Sequence, residues 1–456
     1  MAGIFGLSVD PRKHRSGFWD DFSMGIFYQQ HLGEEYAGFS ITRGRGIFTQ
    51  THRGLVRSTF GSGENSFRGT DGIGYCGSDR EPFVVESQSG EWSICFAGNI
   101  INRRELIARF KREGHIFEKR GPAIADVEII AKLIAGGNSL FDGIDKMAKE
   151  IKGTYAILIL AKNGVIAARS PDGHWPLVIG EKEGAIAVAS ESGGLGNLGF
   201  RLKRDIKPGE IIMISEGKAQ KTKLIASCGI QICSFLWVYT AFANARFEGI
   251  PASLVRKRLG AALARRDIER GFMPDIVAPI PDSGRFHAIG YHQEFCRLVN
   301  ERRVQKAPLY DELLLKYPHS RRSYPSQDKE ARNREAHFKL LQSSEDYEGK
   351  VVVICEDSVV RGTQVKNNLV PKLRGLRVAE VHLRVSNPPL LSHCQWGKTT
   401  KRGECLAASI PDINERIKFL GVDSLRYNRI DDLVEAIGLP RELLCVDCDL
   451  PELTQG

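Results

Sequence analysis

Three observations predict two domains of different class, an α+β domain over residues 1–229 and an α/β domain with a doubly wound parallel sheet over 230–456. Hairpin-like apolar runs fill the first half. Strand and helix patterns alternate in the second half. The change in character falls just after "RDIKPGEIIMISEGKAQKTKL".

In chain order, "NRRELIARFKREGHIF" places Leu106, Ile107 and Phe110 at helical spacing and stops at Gly114. "ADVEIIAKLIAGG" repeats that pattern with Val127, Ile130, Leu133 and Ile134. "TYAILILAKNGVIAARS" and "GAIAVASES" carry β-branched runs broken by Gly and Asn, as antiparallel hairpins do. In the second half "VRKRLGAALARRDIERG" reads as a helix, "DIVAPIPDSG" and "KVVVICEDS" as strands, "QVKNNLVPKLRG" as one helix and "AEVHLRVSN" as a strand. The chain has 456 residues, 42% hydrophobic and 26% charged, which is the composition of a soluble globular protein with room for two or three domains. No apolar stretch approaches the roughly 18 residues of a membrane span, and the basic cluster of "MAGIFGLSVDPRKHRSG" follows its apolar run, the reverse of a secretion signal. A cytoplasmic protein is expected. The net charge of +9 is the ordinary result of solvated basic faces, and it is also compatible with a nucleic-acid partner or a phosphorylated substrate.

The segment "VICEDSVVRGTQVKNN", residues 353–368, runs from a strand through two acids into a loop that opens a helix. In a parallel sheet that is where ligands sit. Ser358 and Thr363 offer hydroxyls, Gly362 lets the backbone come close, Arg361 offers a charge, and amide N–H groups at a helix start attract an anion. Glu356 and Asp357 would repel a bare phosphate, so the ligand should also present sugar hydroxyls or a bound Mg²⁺. This spacing resembles the signature of the type I phosphoribosyltransferases, which bind phosphoribosyl diphosphate (PRPP). With "PIPDSGRFHAIGY", "SYPSQ", "HFKL" and "VSNPPLLSHCQWG" the second half is similar to the glutamine PRPP amidotransferases, and "YQQHLGEEYAGF", "GNIINRREL", "ADVEII" and "VASES" extend the resemblance over the first half.

The resemblance implies a class II glutamine amidotransferase domain, an Ntn-hydrolase-like sandwich, ahead of a type I phosphoribosyltransferase domain. It implies PRPP binding by Glu356, Asp357, Ser358, Val359, Val360, Arg361, Gly362 and Thr363, with Mg²⁺ near Ser283, Glu356 and Asp357. Ten Lys or Arg lie between residues 302 and 339, and the resemblance makes this a basic loop over the diphosphate, with Arg322 and Lys339 as catalytic candidates. A homo-oligomer is expected.

The same resemblance exposes what is missing. Family members begin Met-Cys-Gly-Ile, and the freed Cys attacks glutamine; here Ala2 stands at the nucleophile position. The family's His-Val-Arg-Tyr, whose Arg grips the substrate carboxylate, is Tyr75-Cys76-Gly77-Ser78. The Asn of its oxyanion hole is Ala97, before Gly98 and Asn99, and Leu32 replaces an Arg. Asp126, which would hold the substrate amino group, remains, so Asp126, Gly98 and Asn99 are a residual glutamine pocket in a degenerate glutaminase domain. Cys76 and Cys95 are expected to be buried structural thiols.

Cys445 and Cys448, two residues apart in "LCVDCDL", suit a redox pair or half of a zinc site. The resemblance adds Cys233 and Cys394 and implies a [4Fe–4S] cluster on all four, with zinc as the alternative. The expected function is PRPP-dependent transfer of a phosphoribosyl group to ammonia or another amine or base. The other reading is a non-catalytic PRPP-sensing regulator that uses its charge on nucleic acid, although no nucleic-acid-reading motif is present.

Overall fold

The computed structural model describes residues 2–13, 17–44, 46–60, 67–118, 123–227, 229–318, 338–397, 400 and 403–451. By its internal contacts the chain divides into two units. The first is Met1–Cys233 with Ala245–Gly249 and Gln395–Lys398; the second is Ser234–Asn244, Ile250–Cys394 and Thr399–Gly456.

In the first unit the strands are β1 (Gly3–Val9), β2 (Tyr36–Arg43), β3 (Gly46–Arg53), β4 (Asp71–Gly77), β5 (Phe83–Ser87), β6 (Gly90–Ile100), β7 (Gly153–Ala161), β8 (Gly164–Arg169), β9 (Val178–Lys182), β10 (Ala185–Ala189), β11 (Arg201–Asp205), β12 (Glu210–Ser215) and β13 (Lys218–Leu224). They form two antiparallel sheets, ordered β11-β9-β10-β1-β4-β2-β3 and β13-β12-β8-β7-β6-β5. The hairpin read from "TYAILILAKNGVIAARS" is β7–β8, with Ala161 opposite Gly164. The sheets meet face to face at small residues: a Cβ on Gly6 of β1 would stand 3.3 Å from Val165 and 3.4 Å from Leu158 of the other sheet. Helices cover both outer faces. α1 (Phe18–Phe27) lays Trp19, Phe22 and Ile26 on the first sheet beside Phe39. α2 (Arg103–Arg112), α3 (Asp126–Ala135) and α4 (Leu140–Glu150) lay Leu106, Ile130 and Ile144 on the second. The result is a four-layer αββα sandwich in which β1 and β4 lie in the middle of a sheet, buried along their whole length.

The second unit holds β14 (Ile276–Pro279), β15 (Leu309–Tyr310), β16 (Leu314–Lys316), β17 (Leu340–Gln342), β18 (Val351–Glu356), β19 (Glu380–Val385) and β20 (Ser424–Tyr427). Its main sheet is parallel, ordered β15-β14-β18-β19-β20. Alternate residues explain its unbroken apolar strands. Ile276, Ala278, Val352 and Ile354 enter one core, while Val277, Val353 and Cys355 enter the other with α5 (Ala252–Glu269) and α6 (Arg285–Asn300). α5 and α6 cross backbone to backbone: a Cβ on Gly260 would lie 1.9 Å from the His287 carbonyl oxygen, and one on Gly290 would lie 2.0 Å from that of Lys257.

One expected element is corrected. "QVKNNLVPKLRG" is not one regular helix but a π-helical turn, Val365–Leu369, followed by an α-helix, Val370–Gly375. Pro371 is the physical reason: it has no N–H to give to the turn before it, so the regular ladder cannot run through.

Candidate functional site

Strand order decides where a ligand can sit in the second unit. The sheet grows outward in two directions from its first and third strands, β14 and β18, and the loops after these two diverge at their carboxyl ends, the crevice where open α/β sheets bind ligands. The loop after β14 carries Ser283 and the loop after β18 carries the acid pair, so the two candidate segments lie on neighbouring strands. Gly284 makes the approach possible. Its Cβ would be 2.4 Å from the Cys355 carbonyl oxygen, and the Ile280 N–H donates to that same oxygen at 2.9 Å.

At the end of β18, Asp357 is buried and its backbone N–H donates to Glu356 Oε1 at 3.0 Å. The Ser358 hydroxyl donates to Asp357 Oδ1 at 2.6 Å. Burial, and then the adjacent Asp357 charge, hold the Glu356 carboxyl well above the usual carboxylate range, and Lys339 acts in the opposite sense. The loop is braced from outside itself. Ser386 N–H donates to the Glu356 carbonyl at 2.9 Å, Asn387 N–H to that of Asp357 at 2.8 Å, and Leu406 N–H to that of Val360 at 2.7 Å. Val359 is anchored in the apolar core. Gly362 has φ +72°, where an L side chain is strained, and its Cβ would press on Leu420 and Leu406. Thr363 follows, half-buried.

Arg361 is ion-paired with Glu404 at 2.5 Å. Arg322, with Arg321, Arg332 and Arg334, lies outside the described residues. Lys339 lies at the start of β17, where its carbonyl accepts from the Tyr317 N–H at 2.8 Å, and β16 and β17 pair antiparallel on either side of residues 319–337.

Among the described residues, no three His, Cys, Asp or Glu are grouped as a metal would need. For Mg²⁺ this is no obstacle, since that ion is held by one or two carboxylates plus substrate phosphates, and a cation beside the Glu356–Asp357 pair would favour the ionised form that burial and the adjacent acid disfavour. For a [4Fe–4S] cluster thiolate is the required donor, and Cys233, Cys394, Cys445 and Cys448 are all free thiols. Leu391 and Ser392 N–H groups donate to the Cys448 carbonyl at 2.8 and 3.1 Å, which ties the tail beside the segment carrying Cys394. Cys228 lies outside the described residues.

In the first unit, Ala2 precedes β1, whose Gly3 packs so closely on Gln29 that a Cβ would be 2.6 Å from it. Cys76 lies beside this strand, its thiol donating to the Gly3 carbonyl at 3.5 Å; burial pushes this thiol, and that of Cys95, well up. Both thiols are fully buried. Asp126 begins α3, and its carboxylate accepts from Arg103 Nε at 2.8 Å, while Arg103 Nη2 donates to the Ile124 carbonyl at 2.6 Å. A guanidinium therefore stands where the amino group of glutamine was expected. At Gly77 a Cβ would fall 2.1 Å from the Tyr75 hydroxyl, which accepts from the Asp79 N–H at 3.2 Å. Gly98 is pressed on β7, and the Asn99 side chain donates to the Gln395 carbonyl at 2.5 Å. Sequence reasoning missed Arg103 and Tyr75. A signal existed for Arg103: two arginines open α2, where the helix dipole disfavours cations unless a carboxylate answers them.

A glutamine amidotransferase domain family matches residues 73–197. The amidophosphoribosyltransferase of Methanocaldococcus jannaschii is 32% identical, over 98% of this chain and 96% of its own length. That of Bacillus subtilis is 30% identical, over 96% and 90%. The solved structure of the B. subtilis glutamine PRPP amidotransferase with ADP and GMP superposes with a TM-score of 0.84 at 28% identity, covering 98% of this chain and 96% of that one.

Proposed function

The chain belongs to the amidophosphoribosyltransferase family and is a PRPP-dependent phosphoribosyltransferase, and we propose that its acceptor is ammonia or another amine or base, not nitrogen released from glutamine. The carrying observation is the acid pair at the reversal of strand order, Glu356 with a carboxyl held high beside Asp357: a pair short of positive charge, in the crevice where the sheet receives ligands. Mg²⁺, when bound, supplies positive charge to the diphosphate. Glu356 and Asp357 accept hydrogen bonds from the ribose hydroxyls, Ser283 and the acids face the metal, and the 358–363 loop takes the 5-phosphate on its N–H and hydroxyl donors. As the C1–oxygen bond breaks and the C1–nitrogen bond forms, positive charge develops on the ribose, and the diphosphate leaves toward Lys339 and Arg322. The amine loses one proton.

Two measurements test this. Release of diphosphate from PRPP should occur with concentrated ammonium and not with glutamine. Asp357→Ala should lose about tenfold or more in Mg²⁺-dependent PRPP affinity by calorimetry, as removal of a ligand charge predicts; unchanged affinity would remove the acid pair from the site.

The nitrogen source rests on Arg103 and Tyr75, which fill the places of the substrate amino group and of the carboxylate anchor. For the cysteines, [4Fe–4S] remains the proposed group on thiolate chemistry, with zinc second, and no part of the reaction passes through it. A homo-oligomer also belongs to the proposal and is checked by solution mass. The regulator reading is not favoured, since the relatives named above are enzymes.

A further inference from the structure

Beside Ser283 runs a chain of four alternating charges that the reading above does not use. Arg285, the first residue of α6, sets its guanidinium fork on Glu312: Nε donates to Oε1 at 2.9 Å and Nη2 to Oε2 at 3.0 Å. Its third nitrogen, Nη1, is 3.1 Å from Asp282 Oδ1. Lys316, at the end of β16, reaches the other oxygen of Asp282 at 2.8 Å. One small carboxylate on the loop after β14 is thus held between two cations, one from the helix that the loop opens and one from the strand that leads to residues 317–339.

Stability does not account for this arrangement. The Asp282 side chain is 52% exposed, Arg285 40% and Lys316 32%, and ion pairs this exposed contribute little to stability. Such a chain is therefore inexpensive to rearrange. The Arg285–Glu312 half is two-pronged and holds the guanidinium plane in place, while the Asp282 half is single-pronged. The loop lies against the end of β18 through Gly284 and Cys355, so Arg285 follows directly on the residue that meets the strand one position before Glu356.

We propose that Arg285 is a diphosphate-binding residue of this chain, oriented by Glu312, with Asp282 standing in for the anion until diphosphate arrives. The inference rests on the PRPP reading and adds a specific ligand for the leaving group. On binding, Nη1 and Lys316 move from the Asp282 carboxylate to diphosphate oxygens, exchanging a weak exposed pair for contacts to a more highly charged anion. No covalent change is involved.

The test is calorimetric titration of the full chain with magnesium diphosphate and, separately, with ribose 5-phosphate. Arg285→Gln should weaken magnesium diphosphate at least tenfold and leave ribose 5-phosphate unchanged, which also shows that the fold is intact. Arg285→Lys, which keeps the charge and loses the fork, should fall between, and Glu312→Gln should weaken diphosphate by a smaller factor. Equal diphosphate affinity in wild type and Arg285→Gln overturns the proposal while leaving the PRPP reading in place. If wild type binds PRPP in neither the presence nor the absence of Mg²⁺, both fall.

Discussion

Arg103 occupies the carboxylate that the resemblance assigns to glutamine. With its guanidinium on Asp126 and the Tyr75 hydroxyl over Gly77, a cysteine at position 2 alone is not expected, on the proposed reading, to restore glutamine hydrolysis. Neither wild type nor Ala2→Cys is expected to release glutamate from glutamine with PRPP present; strong activity in Ala2→Cys would mean that Ala2 is the only lesion. His287 gives a second prediction. It is fully buried, burial and then Arg256 lower its pKa to about 4, and its Nε2 faces the Val238 carbonyl at 3.3 Å. The unfolded chain takes up a proton near 6.5 and the folded chain only near 4, so this contribution is complete above pH 6.5 and is lost as pH falls toward 4, by about 3 kcal/mol. Denaturant unfolding across that range should show a shallower slope in His287→Asn; an identical slope would count against it. Ala2, Gly77 and Ala97, at the positions that the resemblance assigns to nucleophile, anchor and oxyanion donor, were legible as residue identities. The contacts of Arg103 with Asp126 and of Tyr75 near Gly77 were not, because which side chains meet in a folded chain depends on more than local pattern.

At the scale of elements, the parallel strands were readable because both faces are buried, which makes each one an unbroken apolar run. Helix α6 was overlooked for the opposite reason. Its buried side includes His287, Ala288, Gly290 and Glu294, polar or small residues that blur the apolar stripe a helix is recognised by. Those small residues mark the contact with α5. Gly290→Ala gains about 1 kcal/mol in helix propensity, but it drives a methyl into the Lys257 backbone, and overpacking costs typically 1–3 kcal/mol. A net loss of up to about 2 kcal/mol is expected in denaturant unfolding, against a change of under about 0.5 kcal/mol for Gly196→Ala, whose methyl would meet nothing within 4 Å. Equal stabilities would show that the two helices can separate without cost.

For the whole molecule, sequence divided the chain near residue 229. The units defined by contacts are not continuous in sequence, because Ala245–Gly249 and Gln395–Lys398 group with the first. Such returns leave no mark in local pattern. The metal question also belongs to this scale, since its four cysteines come from distant segments. Protein purified without oxygen should be brown and carry about four irons per chain, and Cys445→Ser should bleach and destabilise it; colourless protein with one zinc would refute the iron reading. The backbone seam between α5 and α6 bears on how such a protein can diverge. With glycine on both sides there is no side chain to resize, so neither Gly260 nor Gly290 has a gradual route to another residue. The Glu312–Arg285–Asp282–Lys316 chain at the rim can be exchanged one charge at a time at little cost to folding. Inherited variation is thereby steered away from the frame and onto the ligand-facing surface, which lets descendants change what they bind while keeping the same architecture.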